Sequence, residues 1–433
     1  MEKSTLHETL EKAAAFVLLH RDVITNVSQS ILYNDEPQLF SFFATYPASK
    51  KREDMYDYSA GVSFIKNIAL LRALCEGMER YCLDNLKLPI AATSSIKKVK
   101  KSHLDPKIFS PFSSSQLANL KFRQFRINEN SQFRWIEAES LSTGERKLLP
   151  AQLATYNYQY LDKEPLITIP LSTGVATGNS LEDALQRAIL EIVERDAYMI
   201  SYLNKLPSPS IELNQIKSKK IKRVISTFKR YRLELTLVDI TTDIEIPSFA
   251  AITIDRTGLG PAVSVGLKAG FDEEAAMISA IEESLMTRSW VRDKFAYSEV
   301  STKKLKKILN IDDRARLWFS REMVEKLDFW LEGNKKKTLQ FKKKNTKRGL
   351  DFIKRIFEEK NMEILYVDIT DKKIKEAGFA VVRVIIPQLQ QLYLDERHPF
   401  LGGSRLYTVP VKLGYLSKPH LEYELNKIPH PFL

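Results

Sequence analysis

Three segments of this chain share one helical pattern, and each places carboxylates on a helix whose other faces are apolar. They are residues 69–80 (ALLRALCEGMER), 184–195 (ALQRAILEIVER) and 276–287 (AMISAIEESLMT). The first two segments agree at seven of twelve positions. Apolar residues around most of the circumference predict helices that are packed on most sides. Burial of unpaired carboxylates is costly, so the repeated acids predict a site for a cation.

The helical period places arginines and glutamates on one stripe in each of the first two segments. These residues are Arg72, Glu76, Glu79, Arg80, Arg187, Glu191, Glu194 and Arg195, and the third segment adds Glu282 and Glu283. Six carboxylates exceed what Arg80 and Arg195 can neutralise, and Mg²⁺ prefers oxygen ligands. A surface ion-pair pattern is the alternative for one such stripe, but the repetition on apolar helices favours a magnesium site.

Asn179 and Asp183 add two side-chain oxygens at the start of the second helix. A capping role is the alternative, with Asn179 or Ser180 as the N-cap and Asp183 in the first turn. The sequence contains no phosphate-binding loop of the P-loop or dinucleotide type. The scattered histidines show no metal-ligand spacing, and no Ser or Cys lies in a nucleophile context. Covalent catalysis therefore lacks support.

Composition narrows the class of protein further. A hydrophobic fraction of 44% supports a large core, and the formal charge of +12 suits a polyanion or, more simply, a solvated lysine-rich surface. The two cysteines, Cys75 and Cys82, are two helical turns apart, which argues against a disulfide and for a reducing compartment. No apolar run approaches a membrane span and no signal peptide is evident. We expect a soluble, cytoplasmic protein that binds neither membrane nor nucleic acid.

A second repeat indicates the fold class. Strand, turn and strand are predicted around residues 237–254 and again around 366–386, each pair after an amphipathic helix, at 216–230 and 349–360. We also predict a helix over 4–30, strands over 38–66, and a strand at 166–170. These patterns predict a mixed α/β fold (α+β, mixed sheets) with internal duplication. The lysine-rich residues 334–348 are predicted to be a poorly ordered connection with no role evident from the sequence.

The segment from Leu171 to Ala197 contains a small-residue turn, then Asn179, then a Glu-x-x-Glu-Arg-Asp run that begins at Glu191. This segment resembles the second motif of the YcaO family. Residues 76–81 (EGMERY) resemble its first motif, and residues 385–405 resemble its C-terminal region. The resemblance covers about residues 40–433 and implies pseudo-symmetric layers of sheet and helix. It also implies an ATP site in which helix-borne acids hold Mg²⁺ and the triphosphate.

By position, this resemblance implies a set of nucleotide- and magnesium-binding residues. They are Glu76, Glu79, Asn179, Asp183, Glu191, Glu194, Arg195 as the phosphate contact and Glu283 in the third motif; of these, Glu76, Glu79, Glu191 and Glu194 are the implied metal ligands. The sequence departs from the family pattern at Arg72, Ser279 and Met286, where a small residue, an Arg and a Gln are usual. A divergent nucleotide pose is one interpretation, and compensation by Arg72 or Arg288 is the other.

Family members activate a backbone amide: a nucleophile adds to the carbonyl, ATP phosphorylates the resulting oxygen, and phosphate leaves. Residues 429–433 (PHPFL) resemble the proline-rich tail of azoline-forming members, whose terminal carboxylate lies near the active site. The resemblance therefore assigns Pro429, Pro431 and Leu433 to catalysis and favours a cyclodehydratase that converts Cys, Ser or Thr of a ribosomal peptide to azolines (thiazole or oxazole type). A frayed terminus is the alternative for the tail.

Two other functions stay open at this point. Backbone thioamide formation with a TfuA-like partner is the second candidate, and a degenerate nucleotide-binding scaffold subunit is the third. The predicted organisation is an N-terminal helical segment, 1–40, followed by a YcaO-like catalytic domain, 41–433. We expect a precursor peptide substrate and a homodimer. Because the first segment is too short for a leader-binding domain, we also expect a separate E1-like (ThiF-like) partner that binds the leader of this peptide.

Overall fold

The computed structural model describes residues 5–47, 58–85, 87–156, 158–295, 308–333, 336–339 and 349–433. Contacts between Cα atoms divide the chain into two compact units. Unit 1 comprises Met1–Ser30, Phe40–Ile192 and Lys347–Leu389, and unit 2 comprises Ile31–Leu39, Val193–Thr346 and Gln390–Leu433. The domain boundary predicted near residue 40 stays a prediction.

The helices and strands are numbered in chain order. The helices are α1 (Leu6–Leu19), α2 (Lys66–Asn85), α3 (Ser114–Ala118), α4 (Leu181–Leu203), α5 (Lys219–Arg230), α6 (Glu273–Phe295), α7 (Ile311–Leu317), α8 (Asp328–Leu331), α9 (Leu350–Glu359), α10 (Lys372–Glu376) and α11 (Ser404–Lys412). The strands are β1 (Asn26–Gln29), β2 (Phe40–Thr45), β3 (Tyr58–Ser63), β4 (Ala92–Ser95), β5 (Gln132–Ser140), β6 (Arg146–Pro150), β7 (Val175–Gly178), β8 (Ser210–Ile211), β9 (Leu233–Asp239), β10 (Ser248–Asp255), β11 (Val263–Ala269), β12 (Lys336–Lys337), β13 (Leu365–Asp368) and β14 (Ala380–Ile385).

Unit 1 contains two sheets. A small antiparallel sheet has the order β1-β2-β3, and a larger one has the order β4-β5-β13-β14-β7, with β6 paired to β5. Helix α2 packs on β2, β3 and β7, and α1 packs on α2. The buried side chains form one cluster that includes Phe16, Met78, Trp135 and Val381. The first carboxylate helix therefore lies against strands of both sheets.

Unit 2 contains one five-stranded sheet in the order β11-β10-β9-β8-β12. Every residue of β10 (SFAAITID) is buried, as expected for a strand with neighbours on both sides and an apolar middle (FAAI). Helix α6 packs on β10 and β11. Helix α5 packs on β9 through Ile221, Val224 and Phe228, which recur at the helical period while lysines and arginines occupy the other faces.

The structure confirms the mixed α/β class and the repeated helix–strand–strand units, which are α5-β9-β10 and α9-β13-β14. In the second of these repeats, α9-β13-β14, the short helix α10 lies between the two strands. The predicted helix over 4–30 is wrong beyond Leu19, because residues 26–29 pair with β2 instead. The sequence there (NVSQ) is short of good helix formers.

The strand predicted at 166–170 is also wrong. Pro165 and Pro170 bracket this segment and lack the N–H groups that a ladder needs. The N–H of Ile167 donates to the Gln152 side chain rather than to a strand. Both cysteines are free, in agreement with the sequence prediction. Of the lysine-rich segment 334–348, all but residues 336–339 lie outside the described residues.

Candidate active site

The carboxylates of α2 and α4 in unit 1 accept hydrogen bonds from backbone N–H groups next to the helices. Glu76 Oε2 accepts from the N–H of Ala60 in β3 at 3.2 Å. Glu79 Oε1 accepts from the N–H of Thr177 in β7 at 2.7 Å. Glu191 Oε2 accepts from the N–H of Gly174, just before β7, at 3.0 Å. Among the named strands, β3 and β7 each lie at one edge of their sheet, so these glutamates satisfy donors at sheet edges.

Unit 2 repeats this arrangement on β11, the outermost named strand of its own sheet. Glu283 on α6 accepts from the N–H of Leu267, and Glu194 on α4 accepts from the N–H of Ala269 at 3.2 Å. The three carboxylate helices therefore share a structural role that the sequence pattern did not reveal.

Two glycines permit the close approach of helix and strand. A Cβ at Gly61 in β3 would lie 2.2 Å from the carbonyl oxygen of Ala69 in α2. A Cβ at Gly266 in β11 would lie 2.1 Å from the carbonyl oxygen of Ala280 in α6. Each glycine is a neighbour in sequence of the residue whose N–H reaches a glutamate. Only glycine fits at such contacts, so the pairs α2–β3 and α6–β11 are built alike.

Negative charge accumulates in the unit 1 set. Arg80 Nη2 contacts Glu76 Oε1 at 2.9 Å. Burial, reinforced by the charges of Glu76 and Glu191, nevertheless raises the pKa of Glu79 to about 8, against the opposing effects of the Thr177 N–H and Arg80. A carboxyl group with such a pKa carries its negative charge at a free-energy cost, which a bound cation would remove.

Asn179 and Asp183 lie at the start of α4. The Asn179 N–H donates to Asp183 Oδ2 at 3.1 Å, and the Asp183 N–H donates to Ser180 Oγ at 3.2 Å. Arg187 Nε donates to Asp183 Oδ1 at 3.0 Å. The capping role considered for Ser180 and Asp183 is therefore present. Their role as ligands stays a prediction.

In unit 2, Arg195 Nη1 contacts Glu194 Oε1 at 2.9 Å, and Lys268 Nζ lies 3.8 Å from Glu194 Oε2. Burial raises the pKa of Glu283 to about 7; the charge of Glu194 adds to this shift, whereas Arg195, the Leu267 N–H and Lys268 oppose it. Glu194, Arg195 and Glu283 therefore form a second charged set, and Glu283 ionises within it at a cost.

Arg288 was one of two arginines considered as compensation for Ser279. Its guanidinium donates to both oxygens of Glu36 and to Asp255 Oδ2, the last at 2.7 Å, and all three residues are buried. These bonds commit Arg288 to a buried ion cluster, so the structure does not support compensation by it. Arg72 Nη1 donates to the carbonyl oxygen of Val62 at 2.6 Å.

The C-terminal segment packs inside unit 2. Pro429 offers its carbonyl oxygen to Trp318 Nε1 at 2.9 Å, and Pro431, Phe432 and His430 are buried. His430 Nε2 contacts the carbonyl oxygen of Tyr393 at 2.7 Å. Leu433 packs against the apolar cluster of Val291, Phe295 and Ala315. This packing contradicts the alternative of a frayed tail.

The tail also reaches the second charged set. The Arg195 guanidinium carbon lies 4.1 Å from the centre of the Phe432 ring. Arg314 Nη1 contacts both ring nitrogens of His430, Nδ1 at 3.0 Å and Nε2 at 2.7 Å. Burial, followed by the charge of Arg314, holds the pKa of His430 well below its usual range, so this histidine is neutral. The catalytic role of Pro429, Pro431 and Leu433 stays a prediction.

Within the described ranges, no group of three or more His, Cys, Asp or Glu side chains converges closely enough to form a ready-made metal cage. This arrangement is compatible with Mg²⁺, which is usually bound through one or two carboxylates together with water and substrate phosphates. In the same ranges, no helix combines the length and apolar character needed to cross a membrane.

A family model described as YcaO cyclodehydratase, ATP- and Mg²⁺-binding, matches residues 60–390. The chain belongs to the YcaO family. It is therefore an enzyme of the ATP- and Mg²⁺-dependent class that this family defines.

Two proteins that are similar to this chain in sequence are described only as uncharacterized. One, from Methanothermobacter thermautotrophicus, is 26% identical over 349 residues, which are 78% of this chain and 82% of that protein. The other is a protein in the tfuA 3′ region of Rhizobium leguminosarum bv. trifolii, 33% identical over 84 residues, which are 19% of this chain and 20% of that protein.

Two solved structures share the fold. A heterocyclase in complex with substrate and cofactor superposes with a TM-score of 0.81 and 22% identity over 99% of this chain. The chain spans 57% of the length of that heterocyclase. YcaO from Methanopyrus kandleri, bound with AMPPCP and Mg²⁺, superposes with a TM-score of 0.62 and 17% identity over 89% of this chain and 91% of the other.

Sequence reasoning missed residues outside the recognised motifs. Thr9 and Lys12 of α1 lie beside the start of α4: Asn179 Nδ2 donates to Thr9 Oγ1 at 2.8 Å, and Lys12 acts electrostatically on Asp183. The available signal was their spacing, because positions 9, 12, 13 and 16 share one face of a helix, and Ala13 and Phe16 on that face are buried. Phe432 belongs to the predicted tail, but no sequence signal links it to Arg195.

Proposed function

We propose that this protein uses ATP and Mg²⁺ to activate a peptide backbone amide and closes Cys, Ser or Thr residues of a ribosomal peptide into azolines. The observation that carries the proposal is the accumulation of helix-borne carboxylates whose charge is incompletely offset. Glu79 and Glu283 show this most clearly, since both ionise only near neutral pH. Membership of the YcaO family supports ATP and Mg²⁺ as the partners of these acids.

Within this proposal, Glu76, Glu79, Glu191 and Glu194 are the metal-binding residues. Each accepts a backbone N–H bond, and an ionised carboxylate is an acceptor with about four lone-pair sites, which suits a hard cation. The backbone bonds fix the side-chain orientation before metal arrives, as outer-shell partners do in metal sites. The residues present therefore fit Mg²⁺ chemically.

Asn179, Asp183, Arg195 and Glu283 are the proposed nucleotide residues. Arg195 is suited to a phosphate because a guanidinium presents several donors in a fixed plane. The aromatic ring of Phe432 and the carboxylate of Glu194 hold this plane from two directions.

ATP supplies the phosphoryl group that converts the substrate's carbonyl oxygen into a leaving group. The chain itself contributes placement of the reactants and stabilisation of the transferred charge. A side-chain thiol or hydroxyl of the peptide adds to the preceding carbonyl, and its proton must leave. The buried tail, through Pro429, Pro431 and Leu433, is the proposed element that shapes this part of the site. The products are the azoline, ADP and phosphate, so one water is lost from the peptide for each ring.

Thioamide formation is the second candidate, and one observation favours it. The Rhizobium relative lies in the tfuA 3′ region, and a TfuA-like protein is the partner expected for that reaction. The similarity covers 19% of this chain, whereas the fold shared with the heterocyclase covers 99% of it. We therefore keep azoline formation as the first proposal.

We further propose that the enzyme acts as a homodimer on a precursor peptide whose leader is held by a separate E1-like (ThiF-like) protein. Purified protein would be incubated with ATP, Mg²⁺, the precursor peptide and the candidate partner, and the peptide mass measured. Loss of one water per modified residue, dependent on partner and ATP, is expected. Exchange of oxygen for sulfur in the presence of sulfide would show the thioamide reaction instead. Full cyclisation by the protein alone would contradict the partner requirement.

A further inference from the structure

Helix α1 precedes residue 60, where the match to the family model begins. Its inner face carries the buried residues Ala13 and Phe16 together with Thr9, which is also buried. We propose that α1 is part of the nucleotide site and that Thr9 is a positioning residue, which turns the Asn179 amide so that Oδ1 is offered to a cation. The inference rests on the proposed function, because it concerns the same Mg²⁺–nucleotide site.

The direction of the hydrogen bonds at Thr9 fixes the amide. Thr9 Oγ1 contacts the carbonyl oxygen of Thr5 at 2.9 Å, one helical turn earlier. A carbonyl oxygen can only accept, so the single hydroxyl hydrogen of Thr9 is directed at Thr5. In its contact with Asn179, at 2.8 Å, Thr9 Oγ1 must therefore be the acceptor and Asn179 Nδ2 the donor. The amide is oriented by its hydrogen-bond network, which is the accepted basis for assigning its two ends.

The other end of the amide is left without a hydrogen bond. Asn179 Oδ1 is buried and has no hydrogen-bond partner among the described residues. A buried acceptor in that state is unfavourable, because it has lost its bonds to water without replacement. Amide oxygens are good ligands for hard cations such as Mg²⁺. The backbone N–H of Asn179 is bound to Asp183, so the residue is also fixed from its main chain.

Lys12 anchors the helix that carries Thr9. Its Nζ donates to the carbonyl oxygen of Gly378 at 2.8 Å and lies 3.9 Å from the centre of the Phe379 ring. Burial lowers the pKa of Lys12, and the charge of Asp183 opposes this shift. The ammonium group thus holds α1 against the Gly378–Phe379 segment of the same unit and places Thr9 beside Asn179.

The test compares Thr9→Val, which removes the hydroxyl and keeps the shape, with Thr9→Ser, which keeps the hydroxyl. Binding of Mg²⁺–AMPPCP is measured by calorimetry. Loss of an outer-shell partner typically weakens metal affinity about 10- to 100-fold, so Thr9→Val should weaken binding at least about tenfold, and Thr9→Ser should restore it. Thr227→Val is the matched control, because Thr227 makes the same bond to a carbonyl one turn earlier, on α5. That variant should bind as the wild type does.

A second comparison separates positioning from structural support. In an Asn179→Ala background, Thr9→Val should have no further effect on Mg²⁺–AMPPCP binding, since its effect acts through the amide. Equal binding by the wild type and Thr9→Val would overturn the inference and leave the proposed function standing. A further loss of affinity in the Asn179→Ala background would also overturn it. Absence of Mg²⁺–AMPPCP binding by the wild type would overturn the proposed function first, and this inference with it.

Discussion

Glu79 provides the sharpest test of the carboxylate site, because its structural and functional roles respond differently to one substitution. Glu79→Gln keeps an oxygen that can accept the Thr177 N–H bond but removes the charge. In the metal-free protein that charge is unfavourable, since burial and the neighbouring charges of Glu76 and Glu191 raise its pKa to about 8. We therefore expect the variant to be more stable than the wild type without metal, and to lose its response to Mg²⁺–nucleotide.

The magnitude follows from the size of the pKa shift. A shift from 4.5 to about 8 corresponds to an unfavourable free energy of up to about 5 kcal/mol for the ionised carboxylate. The pH dependence has a definite sign. Below pH 4.5 the group is protonated in both the folded and the unfolded chain and carries no penalty. Between pH 4.5 and 8 the unfolded chain binds fewer protons, so the folded state loses up to about 1.4 kcal/mol per pH unit, and above pH 8 the penalty is complete.

The assay is thermal unfolding of wild type, Glu79→Gln and Glu79→Met at pH 5 and pH 8, with and without Mg²⁺–AMPPCP. The Gln variant should gain stability over the wild type as the pH rises, and the ligand should stabilise only the wild type. The Met variant loses the acceptor as well, which leaves the Thr177 N–H without its partner and costs on the order of 1–3 kcal/mol relative to Gln. A pH-independent difference, or equal stabilisation of Glu79→Gln by the ligand, would refute the reasoning.

Two further predictions concern residues elsewhere in the site. Phe432→Leu keeps an apolar side chain but removes the ring that faces Arg195. Because a cation–π contact contributes roughly 1 kcal/mol, the KM for Mg²⁺–ATP should rise about fivefold, with a smaller change in Tm. An unchanged KM would show that Phe432 only fills space. Burial raises the pKa of the Cys75 thiol to about 12. Native protein at pH 8 should therefore resist alkylation at Cys75, while unfolded protein reacts. Rapid labelling of Cys75 in the native protein would contradict the packing of this residue.

The sequence was sufficient to predict the carboxylate helices and the duplicated helix–strand–strand units. Both depend on periodic patterns, and α2, α4 and α6 contain the three predicted segments. The same patterns could not show what the carboxylates contact. The N–H groups of Ala60, Thr177 and Leu267 are main-chain donors, and a side-chain pattern carries no record of them.

The role of α1 was beyond sequence reasoning for a related reason. Thr9 and Asn179 are 170 residues apart, and their contact depends on how α1 packs against the rest of unit 1. A threonine on a helix is neutral by propensity and has no motif to mark it. The tail was expected from the resemblance, but its attachment depends on Arg314, Trp318 and Tyr393, which no sequence motif connects with it.

The central claim is that helix-borne carboxylates bind the metal of a Mg²⁺–nucleotide. The most direct measurement is anomalous diffraction from crystals grown with Mn²⁺, as a substitute for Mg²⁺, and AMPPCP. The account predicts an anomalous peak at metal–ligand distance from oxygens of the proposed metal-binding residues, Glu76, Glu79, Glu191 and Glu194, with the phosphates on the same ion. A peak held by other residues, with none of these four glutamates at metal–ligand distance, would contradict it.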